Sequence, residues 1–207
     1  RAYTEIDKRI KDTFIKNSTA QKTALYDMYS RFYRWAMDRL NENGVIAFIT
    51  NRSFIDSRTF DGFRKTIQTD FDYAYIIDTK SDVRTNPKIA GTTHNVFGIQ
   101  AGVAVLLLVK TSTGKLKEHS CRIQYVAMQD EWRKEVKLQW FNEHPLEKVE
   151  FVSISPDKNN NWINISETNF EELIPLCDKD TKNGKSDKAI FKSYAAGVMT
   201  GRDEWVY

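Results

Sequence analysis

From Leu25 to Leu40 the apolar and aromatic residues return every three or four positions, at Leu25, Met28, Tyr29, Phe32, Trp35, Ala36 and Leu40. That period is one stripe of an α-helix, so the segment predicts a helix packed along it, with Ser18 or Thr19 ahead of it as the capping hydroxyl. Asn43-Gly44 ends the period, and Gly44 is the expected left-handed residue at the helix stop. The pattern then changes to the unbroken run Val45-Ile46-Ala47-Phe48-Ile49-Thr50, which predicts a parallel strand covered on both faces inside an α/β sheet.

A second unit follows. Phe60, Phe63, Arg64 and Ile67 share one helical face between about Ser57 and Thr69, and Tyr73 to Asp78 reads as the next strand. The stretch from Thr79 to His94 is polar and contains Asn86-Pro87 and Gly91; loops of that length inside a domain usually carry function or are disordered. Asn95 to Gln100 and Gly102 to Val109 predict one bent strand or two, with Gly98 and Gly102 marking a kink, a bulge or a close backbone approach. Upstream, Ile6, Ile10, Phe14 and Ile15 predict a short amphipathic helix over Glu5 to Lys16.

Beyond Thr111-Ser112-Thr113-Gly114 the texture is less regular. It predicts a strand over Arg122 to Met128, a helix over Glu131 to Glu143 facing inward through Trp132, Val136, Leu138, Trp140 and Phe141, and a strand over Val149 to Ile154. Pro156 to Asn161 reads as a turn, Asn169 to Leu176 as a short helix, and Asp178 to Lys188 as a charged linker. The expected organisation is half of an α/β sheet over residues 1–112, a mixed α+β connector and linker over 113–188, and a new domain beginning at 189–207.

Composition narrows this little. Of the 207 residues, 41% are hydrophobic and 29% charged, ordinary for a globular protein. The longest apolar run, Val103 to Val109, is far too short for a bilayer. A formal net charge of +3 suits a polyanionic partner but is reached by chance in lysine-rich chains. Cys121 and Cys177 lack metal-ligand spacing and read as reduced thiols of a cytoplasmic protein, with a structural disulfide as the alternative. The start at Arg1, without methionine or signal pattern, points to a fragment or a processed chain.

No glycine-rich phosphate loop, metal cluster or nucleophile elbow is present, and His94, His119 and His144 stand alone. Arg52, Ser53, Arg58 and Arg64, with Arg84, Lys88 and Thr92-Thr93-His94-Asn95, would fall near one sheet edge, where guanidinium and hydroxyl groups suit phosphate oxygens; solvated loops explain them equally well. Phe97, after the polar loop, could stack on a base or fill a core, and Trp162 carries the same ambiguity.

The ordered run Asp-Met-Tyr-Ser-Arg-Phe, Asn-Glu-Asn-Gly-Val-Ile-Ala-Phe-Ile-Thr-Asn-Arg-Ser-Phe, Phe-Asp-Gly-Phe-Arg-Lys and His-Asn-Val-Phe-Gly-Ile-Gln resembles the later half of an N6-adenine DNA methyltransferase. With Ser57 to Lys65, Gly91 to Gln100, Pro156 to Trp162 and Gly197 to Tyr207, it resembles the Type ISP restriction-modification polypeptides, in which nuclease, helicase-like, methyltransferase and target-recognition domains follow one another. The resemblance implies the second half of a Rossmann-like methyltransferase sheet, with Val45 to Thr50 as its fifth strand, then the connector and the start of a target-recognition domain. It implies S-adenosylmethionine as cofactor, with Asp27, Tyr29 and Phe32 beside its adenine end. It also implies double-stranded DNA as partner, with Phe97 stacked on a flipped adenine and Arg52, Ser53, Arg58, Arg84, Lys88 and Asn95 toward the DNA. The family's cofactor glycine motif and its Asn-Pro-Pro-Tyr motif occur nowhere in these residues and are expected before Arg1, so the isolated chain is expected to be inactive. The other reading is a non-catalytic DNA-binding or scaffold module with the same fold.

Overall fold

In the computed structural model, the described residues are 3–18, 23–83, 86, 93–111, 121–163, 173–177, 181, 184 and 186–193. Five strands, β1 (Gly44–Asn51), β2 (Tyr73–Asp78), β3 (Val103–Lys110), β4 (Arg122–Ala127) and β5 (Val152–Ile154), hydrogen-bond in the order β1-β3-β2-β4-β5. β3 runs antiparallel to both β1 and β2, β4 is parallel to β2, and β5 is antiparallel to β4. The molecule is a mixed α/β fold with an open, mixed sheet.

Register explains which face is covered. Ile46 and Phe48 lie beside Leu108 and Leu106, which lie beside Ala74 and Ile76, and these lie beside Ile123 and Tyr125. This side packs under α1 (Thr4–Ile10), the π turn Lys11–Ile15, α2 (Met28–Met37) and α4 (Asp61–Asp70), with α3 (Ser53–Asp56) and a 3-10 turn, Arg58–Phe60, leading into α4. Ring edges lock the layer: Tyr33 lies 5.1 Å from Phe48 and 5.2 Å from Phe63, Phe14 lies 5.0 Å from Phe63, and Phe54 meets Trp162 at 6.5 Å. Each such buried ring contributes roughly 1.5–3 kcal/mol through the apolar area it removes from water. Trp162 is therefore a core residue.

The expected interior strand is different. β1 has a single neighbour, antiparallel β3, among the described residues, and Val45 and Ile49 on its other face are 60% and 59% exposed. An apolar run shows that both faces of a strand avoid charge, but not what covers them within these residues. α2 also departs from expectation. It starts at Met28 after a 3-10 turn, Thr23–Tyr26, and buries Ser30, Tyr33, Arg34 and Met37, while Met28, Phe32 and Trp35 face outward. The slot between Phe48, Phe54 and Phe63 takes Tyr33, and that contact sets the helix rotation. Ser18 does not cap α2; its hydroxyl bonds the carboxylate of Asp61 on α4.

Gly44 opens β1 and is not left-handed; a Cβ there would lie 2.5 Å from Leu40 Cδ2. At Gly62 a Cβ would lie 1.9 Å from the carbonyl oxygen of Phe14, so only glycine lets α4 approach the π turn this closely. The helix expected over Ser57 to Thr69 is split into the 3-10 turn and α4, yet Phe60, Phe63, Arg64 and Ile67 are all buried as the period requires.

Arg64 is completely buried and does not reach a phosphate-binding surface. It donates to the carbonyls of Phe54, Ser57 and Asn160 at 3.0, 2.9 and 2.7 Å, joining α3 to the turn that Asp157 closes around Asn159 and Asn161. With no carboxylate among these bonds, burial lowers its pKa to about 10.

Residues 1–165 form one compact unit, so β4, α5 (Lys134–Glu143) and β5 belong with the sheet, and residues 166–207 form a second unit. In the second unit, residues 173–177 are not helical as expected; Ile190 and Phe191 donate to the carbonyls of Pro175 and Leu176, both at 3.0 Å. No helix among the described residues is long and apolar enough to cross a membrane.

Candidate functional site at the carboxyl edge of the sheet

β1, β2 and β4 share a direction, so their carboxyl ends line one edge, the edge where open α/β sheets place ligands. The first residue past β1 is Arg52 and the last of β2 is Asp78. Arg52 Nε and Nη2 donate to Asp78 Oδ1 and Oδ2, each at 2.9 Å, and Arg52 Nη1 lies 2.8 Å from Asp56 Oδ2. Asp78 also accepts from the Lys80 amide and the Tyr125 hydroxyl, both at 2.9 Å. Burial by itself would lower the Arg52 pKa and raise that of Asp78, but their mutual hydrogen bonds and charges outweigh it, so the arginine is raised and the aspartate lowered. Burial, then the charge on Asp78, pushes the Tyr125 hydroxyl up.

After Asp78 the chain makes a strap, residues 79–83, through two consecutive left-handed residues, Lys80 at φ 57° and Ser81 at φ 56°. The Ser81 amide donates to Asp130 Oδ1 at 2.9 Å, the Ser81 hydroxyl donates to the Asp130 carbonyl at 3.2 Å, and the Val83 amide donates to the Gln100 carbonyl at 3.0 Å. Arg52, Asp56, Lys80, Asp82, Asn86 and Asp130 line a polar cleft of about 310 Å³ beside it.

The segment ahead of β3 is a turn rather than a strand. Buried Asn95 closes it, accepting the Phe97 amide at 2.9 Å and donating to the Ala101 carbonyl at 2.7 Å, while Gly98 takes φ 68°. Phe97 stands on this turn 58% exposed. Gly102 follows where Arg52 crosses: a Cβ there would lie 2.4 Å from Arg52 Cδ, and the Arg52 amide donates to the Gly102 carbonyl at 3.0 Å.

The edge thus gathers Arg52, Ser53, Asn95 and Phe97. Ser53 donates through its amide and hydroxyl to Asn51 Oδ1 at 2.8 and 2.6 Å, Arg52 is held by two carboxylates, and Asn95 is spent inside its turn; Phe97 is the member turned to solvent. A second group lies at the start of α2. Asp27, the residue just before the helix, is exposed, Phe32 is 56% exposed, and Tyr29 turns inward to stack on Phe60 at 5.5 Å; Arg58, in the same 3-10 turn as Phe60, is exposed. Burial, then the charge on Asp27, raises the pKa of the Tyr29 hydroxyl. Arg84, Lys88, His119 and Gly197 to Tyr207 lie outside the described residues.

Asp78, Tyr125, Asp130 and Lys137, which complete the edge, escape sequence reasoning. The available signal was a charge at the last position of the apolar strand Tyr-Ala-Tyr-Ile-Ile-Asp, paired with another just past β1.

The profile of the Eco57I restriction-modification methylase family matches residues 2–84. Among solved structures, the chain is similar to a DrdV–DNA complex, with 47% identity over 99% of this chain and 20% of that one and a TM-score of 0.82. It is similar to the ATP-dependent Type ISP restriction-modification enzyme LlaBIII bound to DNA, with 34% identity over 99% of this chain and 14% of that one and a TM-score of 0.84. A nuclease-deletion mutant of the Type ISP enzyme LlaGI with a DNA substrate mimic gives 32% identity over 87% of this chain and 17% of that one, with a TM-score of 0.76. No curated protein matches. The chain spans a fifth or less of the length of these relatives, and within that span its sequence and fold together place it in the Type ISP restriction-modification family.

Proposed function

We propose that this chain forms the cofactor-adenine and target-base side of a DNA adenine-N6 methyltransferase inside a Type ISP polypeptide that also carries nuclease and helicase-like domains. The observation that carries this reading is the turn closed by the hydrogen bonds of Asn95, which holds an exposed phenyl ring at the carboxyl edge of the sheet. An exposed aromatic there suits a base rotated out of the duplex, because stacking tolerates any base and is worth roughly 1–3 kcal/mol. The DNA in the structures it resembles supports the same partner.

The residues at the start of α2 fit one wall of S-adenosylmethionine in part. Phe32 offers an exposed ring for the adenine and Asp27 an exposed carboxylate for ribose hydroxyls, while Tyr29 serves by holding α2 against Phe60. When bound, the cofactor supplies an electrophilic methyl group on a sulfonium. On the DNA side, Phe97 holds the base, Arg58 faces solvent where a phosphate can pair with it, and Arg52 shapes the edge through Asp78. Arg84 and Lys88 would add phosphate contacts from the segment between the strap and the Phe97 turn.

The test uses the complete polypeptide and a duplex carrying its methylation site, mapped by sequencing the DNA it methylates. Binding should raise the fluorescence of 2-aminopurine placed at the target adenine, and Phe97→Ala should remove that rise while nonspecific duplex binding persists. An unchanged signal in Phe97→Ala would refute the base-stacking role. Residues 1–207 alone should transfer no methyl group from S-adenosylmethionine to DNA, since the glycine and Asn-Pro-Pro-Tyr motifs are not among them.

A further inference from the structure

α5 is built the wrong way round for a packing helix. Its apolar residues Val136 and Leu138 are 46% and 44% exposed, against the expected inward stripe, and the residue it buries completely is Lys137. Taking an ammonium out of water is costly unless hydrogen bonds compensate, and a leucine or methionine would fill the same space without that cost. What an ammonium can do and a leucine cannot is donate, and Lys137 Nζ donates to the Thr79 carbonyl at 2.7 Å and to the Ser81 hydroxyl.

Both acceptors are in the strap, on either side of left-handed Lys80. Residues with side chains resist that conformation by roughly 1–2 kcal/mol each, so the two in succession persist only because outside bonds hold them. The strap in turn supports the Phe97 turn: Val83 donates to Gln100, and the Thr79 amide and hydroxyl donate to the Val103 carbonyl at 3.1 and 2.6 Å. On the other side of the turn, the Lys134 amide donates to the Thr93 carbonyl at 3.1 Å. The segment bearing Phe97 is therefore fastened at both ends to α5 or to what Lys137 holds.

We propose that Lys137 is a positioning residue for the target base, acting through Ser81 and the strap to hold the Phe97 turn at the sheet edge. The proposal rests on the reading that Phe97 engages the flipped adenine. It places control of the base-holding ring in the helix beyond the sheet.

The complete polypeptide is tested with the 2-aminopurine duplex. Lys137→Met should lose most of the fluorescence rise and lower kcat for methyl transfer on the order of a hundredfold, as expected for a reacting group displaced by about 1 Å, with KM for DNA little changed. Ser81→Ala, which removes one side-chain partner, should lose part of the rise, and the double variant should be no worse than Lys137→Met. If Lys137→Met does not fold by near-ultraviolet circular dichroism, Ser81→Ala decides alone. A full signal and unaltered kcat in the folded variants, with Phe97→Ala dark, would overturn the role of Lys137 and leave the stacking reading standing. A signal that persists in Phe97→Ala would instead remove the reading beneath it.

Discussion

Arg52 and Asp78 meet in a two-pronged ion pair, both contacts at 2.9 Å, across the ends of two strands that are not neighbours in the sheet. The pair spans the entry to β3 at Gly102, where a side chain would collide with the arginine stem. One bond pattern thus ties the first and third strands of the sheet order at the edge where the exposed Phe97 turn begins.

Breaking this pair should be expensive. Arg52→Met leaves the Asp78 carboxylate buried with its main partner gone and should destabilise residues 1–207 by about 3–5 kcal/mol, read as a shift in the urea midpoint. Converting both, with Asp78→Leu, should recover part of the loss. A midpoint unchanged in Arg52→Met would mean that the arginine serves something outside the fold.

Stability should fall in acid for a stated set of groups. Asp38, Asp78 and Asp157 each lose solvation on burial, yet Arg9 and Arg34, Arg52, and the amides around Asn161, respectively, hold them below the ordinary 3.8. A depressed folded pKa gives stability that is full above the unfolded value and lost as pH drops through the folded one, so the loss belongs below about pH 4. Denaturation midpoints should be flat on this account from pH 7 to 5 and decline below 4, less steeply in Asp38→Asn.

The two ends of the Phe97 turn should separate in a stability measurement. Asn95→Ala leaves the part-buried backbone groups of Phe97 and Ala101 without their partner and should cost about 1–3 kcal/mol. Phe97→Ala removes an exposed ring and should move the urea midpoint by less than about 0.5 kcal/mol.

At the start of α2, Phe32→Ala in the complete polypeptide should weaken S-adenosylmethionine by about 1 kcal/mol, roughly fivefold, in a calorimetric titration while duplex affinity holds. Equal cofactor affinity would place the adenine elsewhere.

Local pattern carried the elements well. The strand at Tyr73 to Asp78 stands where it is expected, the buried face of α4 is the one its period marks, and Gly98 takes the left-handed conformation of a turn. The resemblance, read on short ordered motifs, reached the family that the comparisons support. These are properties of neighbours within a few residues, for which spacing along the chain is enough.

Other features required elements far apart in sequence to meet. The rotation of α2 is set by a slot for Tyr33 made of Phe48, Phe54 and Phe63, so a helix with apolar residues on several sides could not announce which would be buried. Arg64 and Arg52 look like phosphate ligands in a sequence; carbonyls and carboxylates many residues away consume their donors. Lys137 reads as the polar side of an amphipathic helix, and only the strap beneath it turns that lysine inward. A charge is cheap in water and costly when buried, and periodicity does not say where its partners will come from.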